Sequence, residues 1–300
     1  MEKFKNVVGN YNLPQRLNGE NSRKILKKLR KLDFPNEFIS HVATDDEFKN
    51  VVEVTKDKFI SLFGEFDRNV NFINKKKYIE INKELRKLVK RNLFEKEYEK
   101  LAKNKSEVTD LFEIPILPSE EKFDTSVYSR TFSKNTYFVN GVILSKENLS
   151  TLSSCYAHEC THVLTERNKR TVSDELDREF LSIFLEKIFI KEDSEEFKIS
   201  ELNRWVDINP VNLETFTNEE KFVLHTYYNA NVLAVYLYYI YRNMKEPSRL
   251  KLLKDIRKVF TGNFTTKEFM NKYNLNFKND DVVTVVLDAA KESKKYHLTR

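Results

Sequence analysis

His158 and His162 stand four residues apart with Glu159 beside the first, inside the segment SSCYAHECTHVLTER, and this pattern constrains the chain more than any other stretch. On an α-helix a four-residue step turns about 40° past one full revolution, so a helix sets both imidazoles on one side, one turn apart. The wheel of that helix gathers Tyr156, Ala157, Cys160, Val163 and Leu164 on the side opposite the histidines. It therefore reads as a helix with one face to the core and one to a cleft. The chain is long enough to bury one large core or two modest ones without disulfides or metal staples, since it has 300 residues.

The surroundings agree with a helical setting. Five glycines and six prolines are too few for a protein full of tight turns. Lys, Glu, Leu and Asn fill the positions between apolar residues at helical spacing, so the expected fold is mainly α with one small β-sheet. The net charge of +6 comes from 52 basic residues interleaved with 46 acidic ones, which predicts a solvated mixed surface and no nucleic-acid partner. The opening MEKFKNVVGNYNLP lacks the apolar core of a signal peptide, so the expected location is cytoplasmic. Cys155 and Cys160 point about 140° apart on one helix, cannot bridge each other and suit a reducing compartment. Phe222 to Tyr241 carries no formal charge and has the length of a membrane span. His225, Asn229, Asn231 and six tyrosines would be costly in lipid, so it reads as a buried helix and no membrane is expected.

Two regions are expected: an N-terminal helical region, 1–110, and a domain over 111–300. In the first, Ile81, Leu85, Leu88, Val89, Leu93, Tyr98 and Leu101 recur at three- and four-residue steps, as on an amphipathic helix packing on the rest or serving as a coiled-coil arm. In the second, apolar runs flank Asn140-Gly141 in TYFVNGVIL, a hairpin signal over 136–144. A helix is expected from about Glu147 to Arg167, a second from about Val172 to Ile190, and a third from the Thr217/Glu220 capping box through Tyr241. Pro247 opens another.

Two imidazoles so placed can bind one tetrahedral zinc ion, and the glutamate between them then lies beside a zinc-activated water. Such a water has a pKa near 7, so Glu159 can take its proton, deliver hydroxide to a peptide carbonyl and return the proton to the leaving amine. A catalytic site needs a third protein ligand and an open fourth position. The next helix offers one. Its apolar stripe runs through Val172, Leu176, Phe180, Ile183 and the stem of Lys187, and Glu179 is the carboxylate nearest that stripe; Glu175, one turn earlier, is the alternative.

With these residues the sequence resembles the gluzincin metallopeptidases, and within them the thimet oligopeptidase and oligoendopeptidase (M3) group. That group's second motif is a glutamate followed by serine three residues later and a second glutamate after seven, matched here by Glu179, Ser182 and Glu186 in EFLSIFLE. The resemblance implies a zincin-like catalytic domain with a single zinc on His158, His162 and Glu179, and a peptide or protein as substrate. It also extends to HTYYN at His225 to Asn229, similar to the segment with which these peptidases hold the substrate and its oxyanion. By resemblance His225 and Tyr228 donate hydrogen bonds there, with Tyr236 as a substitute; read from the residues alone, the pair is equally an ordinary polar patch on a buried helix. The likeness covers about Thr136 to Tyr241. It departs from the group in Thr161, where glycine is usual, in the 16 residues between His162 and Glu179, and in a shorter chain.

The expected function is therefore zinc-dependent peptide hydrolysis. Two alternatives stand beside it: a regulatory zincin that cleaves one specific partner recognised by the N-terminal helices, and a non-catalytic zinc-containing binding module.

Overall fold

A computed structural model describes residues 20–29, 31–32, 34, 42–65, 116–119, 127–128, 142–145, 149–167, 175–192, 194–207 and 218–298. Helix dominates, as expected. In chain order the helices are α1 (Glu20–Leu29), α2 (Asp45–Phe63), α3 (Leu149–Arg167), α4 (Glu175–Phe189), α5 (Glu195–Asp207), α6 (Asn218–Asn243), α7 (Glu246–Phe260), α8 (Thr266–Lys272) and α9 (Asp280–Leu298). Between α2 and α3 lie three short strands, β1 (Ile116–Ser119), β2 (Val127–Tyr128) and β3 (Val142–Ser145). Their order is β1-β3-β2; β1 runs parallel to β3 from Ile116 opposite Val142 to Ser119 opposite Ser145, and β2 runs antiparallel to it. Apart from β3, the hairpin expected over 136–144 lies outside the described residues, as do the Ile81–Leu101 stripe and the boundary expected near residue 110.

Local signals account for the helix ends. Thr44 caps α2 in a reciprocal box with Glu47, each side chain bonding the other's backbone N–H. Gly64 closes that helix at φ 74°, a left-handed conformation that glycine adopts without a Cβ clash. Pro247 sits in the first turn of α7, where its missing N–H has no helical acceptor to lose.

One apolar core runs from Ile25 in α1 to Ala290 in α9. The described part of the N-terminal region belongs to it. Phe48, Val52, Thr55, Phe59 and Phe63 form the buried stripe of α2, with the Phe59 ring 5.0 Å from Phe63 and 5.1 Å from Phe189 at the end of α4. Thr55 also shares a 2.8 Å hydrogen bond with Ser153 of α3, and Lys58 donates to the Phe189 carbonyl at 2.7 Å.

Helix α3 lies at the centre, packed against α2, α4, α5, α7, β2 and β3. This corrects the expectation of one face open to a cleft: His158 is 9 % exposed and His162 and Glu159 are each 3 % exposed. A helix so rich in hydroxyls tolerates this enclosure because the hydroxyls bond back to its own carbonyls. Ser154 donates to Thr151, Thr161 to Ala157 and Thr165 to Thr161. No described helix is long and apolar enough to cross a membrane. Cys155 and Cys160 are thiols, not joined in a disulfide.

Candidate metal centre

The centre is assembled from two consecutive helices. His158 and His162, one turn apart on α3, bring their Nε2 atoms to 2.7 Å from each other. From α4, Glu179 sets one carboxylate oxygen 3.5 Å from each ring, Oε2 to His158 and Oε1 to His162. All three residues are buried, and one ligand atom from each lies within 4.8 Å of the others.

The spacing of EFLSIFLE follows from this geometry. Residues at i, i+3 and i+7 share one face of a helix, and here each addresses the histidine pair. Glu179 faces both Nε2 atoms, Ser182 Oγ lies 3.4 Å from His162 Nδ1, and Glu186 Oε1 lies 2.5 Å from His158 Nδ1. A carboxylate can only accept, so His158 carries a proton on Nδ1 and donates it to Glu186. On the far side of Glu186, Arg204 of α5 places a guanidinium nitrogen 2.5 Å from the same oxygen.

The charges follow from these contacts. Burial opposes ionisation of Glu186, but the Arg204 guanidinium and the His158 ring outweigh it and hold the carboxyl down at about 2. Burial likewise opposes charge on His158, yet Glu186 and then Glu179 push it up to about 10. His158 is thus an imidazolium in this arrangement, donating Nδ1–H to Glu186 and Nε2–H to His162. Burial, with Glu186 next, pushes the nearby Cys155 thiol up to about 12, and Cys155 is not part of the ligand cluster.

These residues fit a divalent ion. Two neutral imidazoles and a carboxylate are a zinc-type donor set, and for ligand distances of 2.0–2.2 Å a tetrahedron has edges of about 3.4 Å. Each histidine has one Glu179 oxygen at 3.5 Å, close to that edge, Oε2 for His158 and Oε1 for His162. The 2.7 Å between the imidazoles is the length of a hydrogen bond, so an ion would replace the proton they share and the rings would part by about 0.7 Å. Glu179 Oε2 is buried and, apart from the His158 ring 3.5 Å away, has no hydrogen-bond partner among the described residues, as a metal ligand would. A buried carboxylate oxygen left so costs about 1–3 kcal/mol or more, and a cation is the partner that satisfies it. Three protein donors leave one tetrahedral position for solvent.

The other candidates are placed as follows. Glu159 is buried on α3 and is not part of the ligand cluster. Glu175 opens α4, but its side chain lies outside the described residues, as does that of His225 on α6. Tyr228 is buried in the core on α6, which packs against α4. Tyr236 accepts a 2.6 Å hydrogen bond from Asn279, which ties it to the turn before α9. Sequence reasoning missed Arg204, since it is 42 positions beyond His162 and nothing in its local sequence sets it apart from an ordinary surface arginine.

The sequence matches no family model, and comparisons with curated proteins and with solved structures find no match either.

Proposed function

We propose that the chain is a zinc-dependent metallopeptidase of gluzincin type, with His158, His162 and Glu179 as metal ligands and Glu159 as general base. The observation that supports this is the convergence of both histidines of the HECTH segment with a carboxylate from the following helix, while Glu159 stays outside the ligand set. The bound ion supplies Lewis acidity that makes water a nucleophile at neutral pH. Glu159 would take a proton from water at the site and return it to the leaving amine nitrogen, so that one carboxylate would serve both halves of the reaction. Glu186 and Ser182 contact the two rings from behind through Nδ1, leaving each Nε2 toward Glu179, where both would be placed to hold an ion. His225 and Tyr228, both on α6, are the proposed donors to the carbonyl oxygen as it gains charge. In this reading the small sheet beside α3 completes a zincin-like domain and the substrate is a peptide or protein.

Replacing Glu159 by Gln keeps the size of the side chain and removes the base. The variant is expected to bind zinc as the wild type does and to lose at least about 100-fold in cleavage of a quenched fluorescent peptide library. Wild-type cleavage persisting in Glu159→Gln would refute the assignment. The enclosure of the cluster favours a second reading, a non-catalytic module in which the ion ties α3 to α4. Zinc uptake without turnover on any peptide would support that one.

A further inference from the structure

Helices α4 and α5 are joined by two ion pairs at neighbouring positions. Arg204 Nη2 lies 2.5 Å from Glu186 Oε1, and Lys187 Nζ lies 2.5 Å from Glu201 Oε1. Both pairs are largely withdrawn from solvent, with side-chain exposures of 15 % and 8 % in the first and 2 % and 13 % in the second. They differ in what they reach. Glu186 Oε1 also accepts from His158 Nδ1 at 2.5 Å, whereas neither Lys187 nor Glu201 belongs to the metal cluster. The carboxylate oxygen that orients the His158 ring is therefore itself held by a guanidinium from a third helix. A carboxylate on a flexible two-methylene stem does not by itself fix a ring, and outer partners of metal ligands commonly set metal affinity.

We propose that Arg204 is a positioning residue of the metal centre: through Glu186 it keeps the His158 ring turned so that Nε2 faces Glu179 and His162. This rests on the metallopeptidase reading above. The guanidinium suits the role because its rigid planar fork fixes direction as well as charge. The Lys187–Glu201 pair, one position along the same helix contact, is a matched control for simple loss of helix packing.

The test uses the full chain with zinc and cobalt(II) as probes, measuring the zinc Kd by competition and the visible absorption of the cobalt form. Arg204→Met is expected to weaken zinc about 10- to 100-fold and to shift the cobalt bands, since a ring no longer held changes the ligand field. Arg204→Lys, which keeps charge but not the fork, should fall between, with a 3- to 10-fold loss, and decides the matter if the methionine variant does not fold. Glu201→Gln should leave the zinc Kd within about 3-fold of wild type even where it lowers the melting temperature. An unchanged Kd and cobalt spectrum in Arg204→Met, or in Arg204→Lys where that variant decides, would overturn the proposal alone. So would a loss in Glu201→Gln as large as that in Arg204→Met. A wild-type chain that takes up no zinc would overturn the metal reading together with it.

Discussion

Replacing Glu179 by Gln separates the metal role of that carboxylate from its structural one. In the metal-free protein two terms oppose each other. Attraction between the carboxylate and the His158 imidazolium at 3.5 Å is about 5 kcal/mol before desolvation, at an effective dielectric constant of about 20. Burying a carboxylate costs several kcal/mol, here with Oε2 unbonded among the described residues. The two nearly cancel, so metal-free Glu179→Gln should melt within a few degrees of wild type. With zinc the difference becomes plain. At a free zinc concentration 100 times Kd, binding stabilises the wild type by about 2.7 kcal/mol. For 300 residues the unfolding entropy is about 0.6 kcal/mol per kelvin, so the melting temperature should rise by about 4 °C. Loss of a direct ligand weakens zinc by at least the 100-fold upper range of outer-partner losses, which reduces the gain at the same zinc concentration to about 0.4 kcal/mol, under 1 °C. Differential scanning calorimetry with and without zinc reads both numbers. A zinc-induced shift of wild-type size in Glu179→Gln would refute the reasoning, and Glu175→Gln would then be the variant to lose it.

Two further predictions follow from the same geometry. Zinc must displace the proton shared by His158 and His162, and His158 is pushed up to about 10, so zinc affinity should rise about tenfold per pH unit between pH 6 and 8 with one proton released per ion; calorimetric titration in buffers of different ionisation enthalpy counts that proton, and a pH-independent affinity would contradict it. Phe59→Ala, in the ring cluster with Phe63 and Phe189, should cost about 3–5 kcal/mol in chemical denaturation while leaving the zinc Kd unchanged, because the cluster touches the core and not the centre.

Much of the site was legible because its signals are local. The i, i+4 histidines and the stripe of α4 give two helices and the inward side of Glu179, since helical periodicity is written along one segment. The Thr217/Glu220 box and Pro247 likewise mark α6 and α7. What was not legible depends on contacts distant in sequence. Arg204 reaches Glu186 only because α5 packs beside α3, and the parallel pairing of Ile116–Ser119 with Val142–Ser145 bridges a long connection. The wheel of α3 gave its polar face to a cleft, whereas carboxylates and a guanidinium from α4 and α5 close over it, and the hydroxyls of Ser154, Thr161 and Thr165 are satisfied within the helix.

The central claim is that two imidazoles and one carboxylate share a divalent ion that keeps a place for solvent. X-ray absorption at the zinc edge of the loaded chain tests it most directly. The account predicts one zinc per chain with two imidazole nitrogens at about 2.0–2.1 Å, oxygen neighbours at about 2.0–2.2 Å, and one of these exchanging when a thiol inhibitor is added. A shell containing protein sulfur before any such addition, fewer than two imidazoles, or no exchangeable position would contradict it.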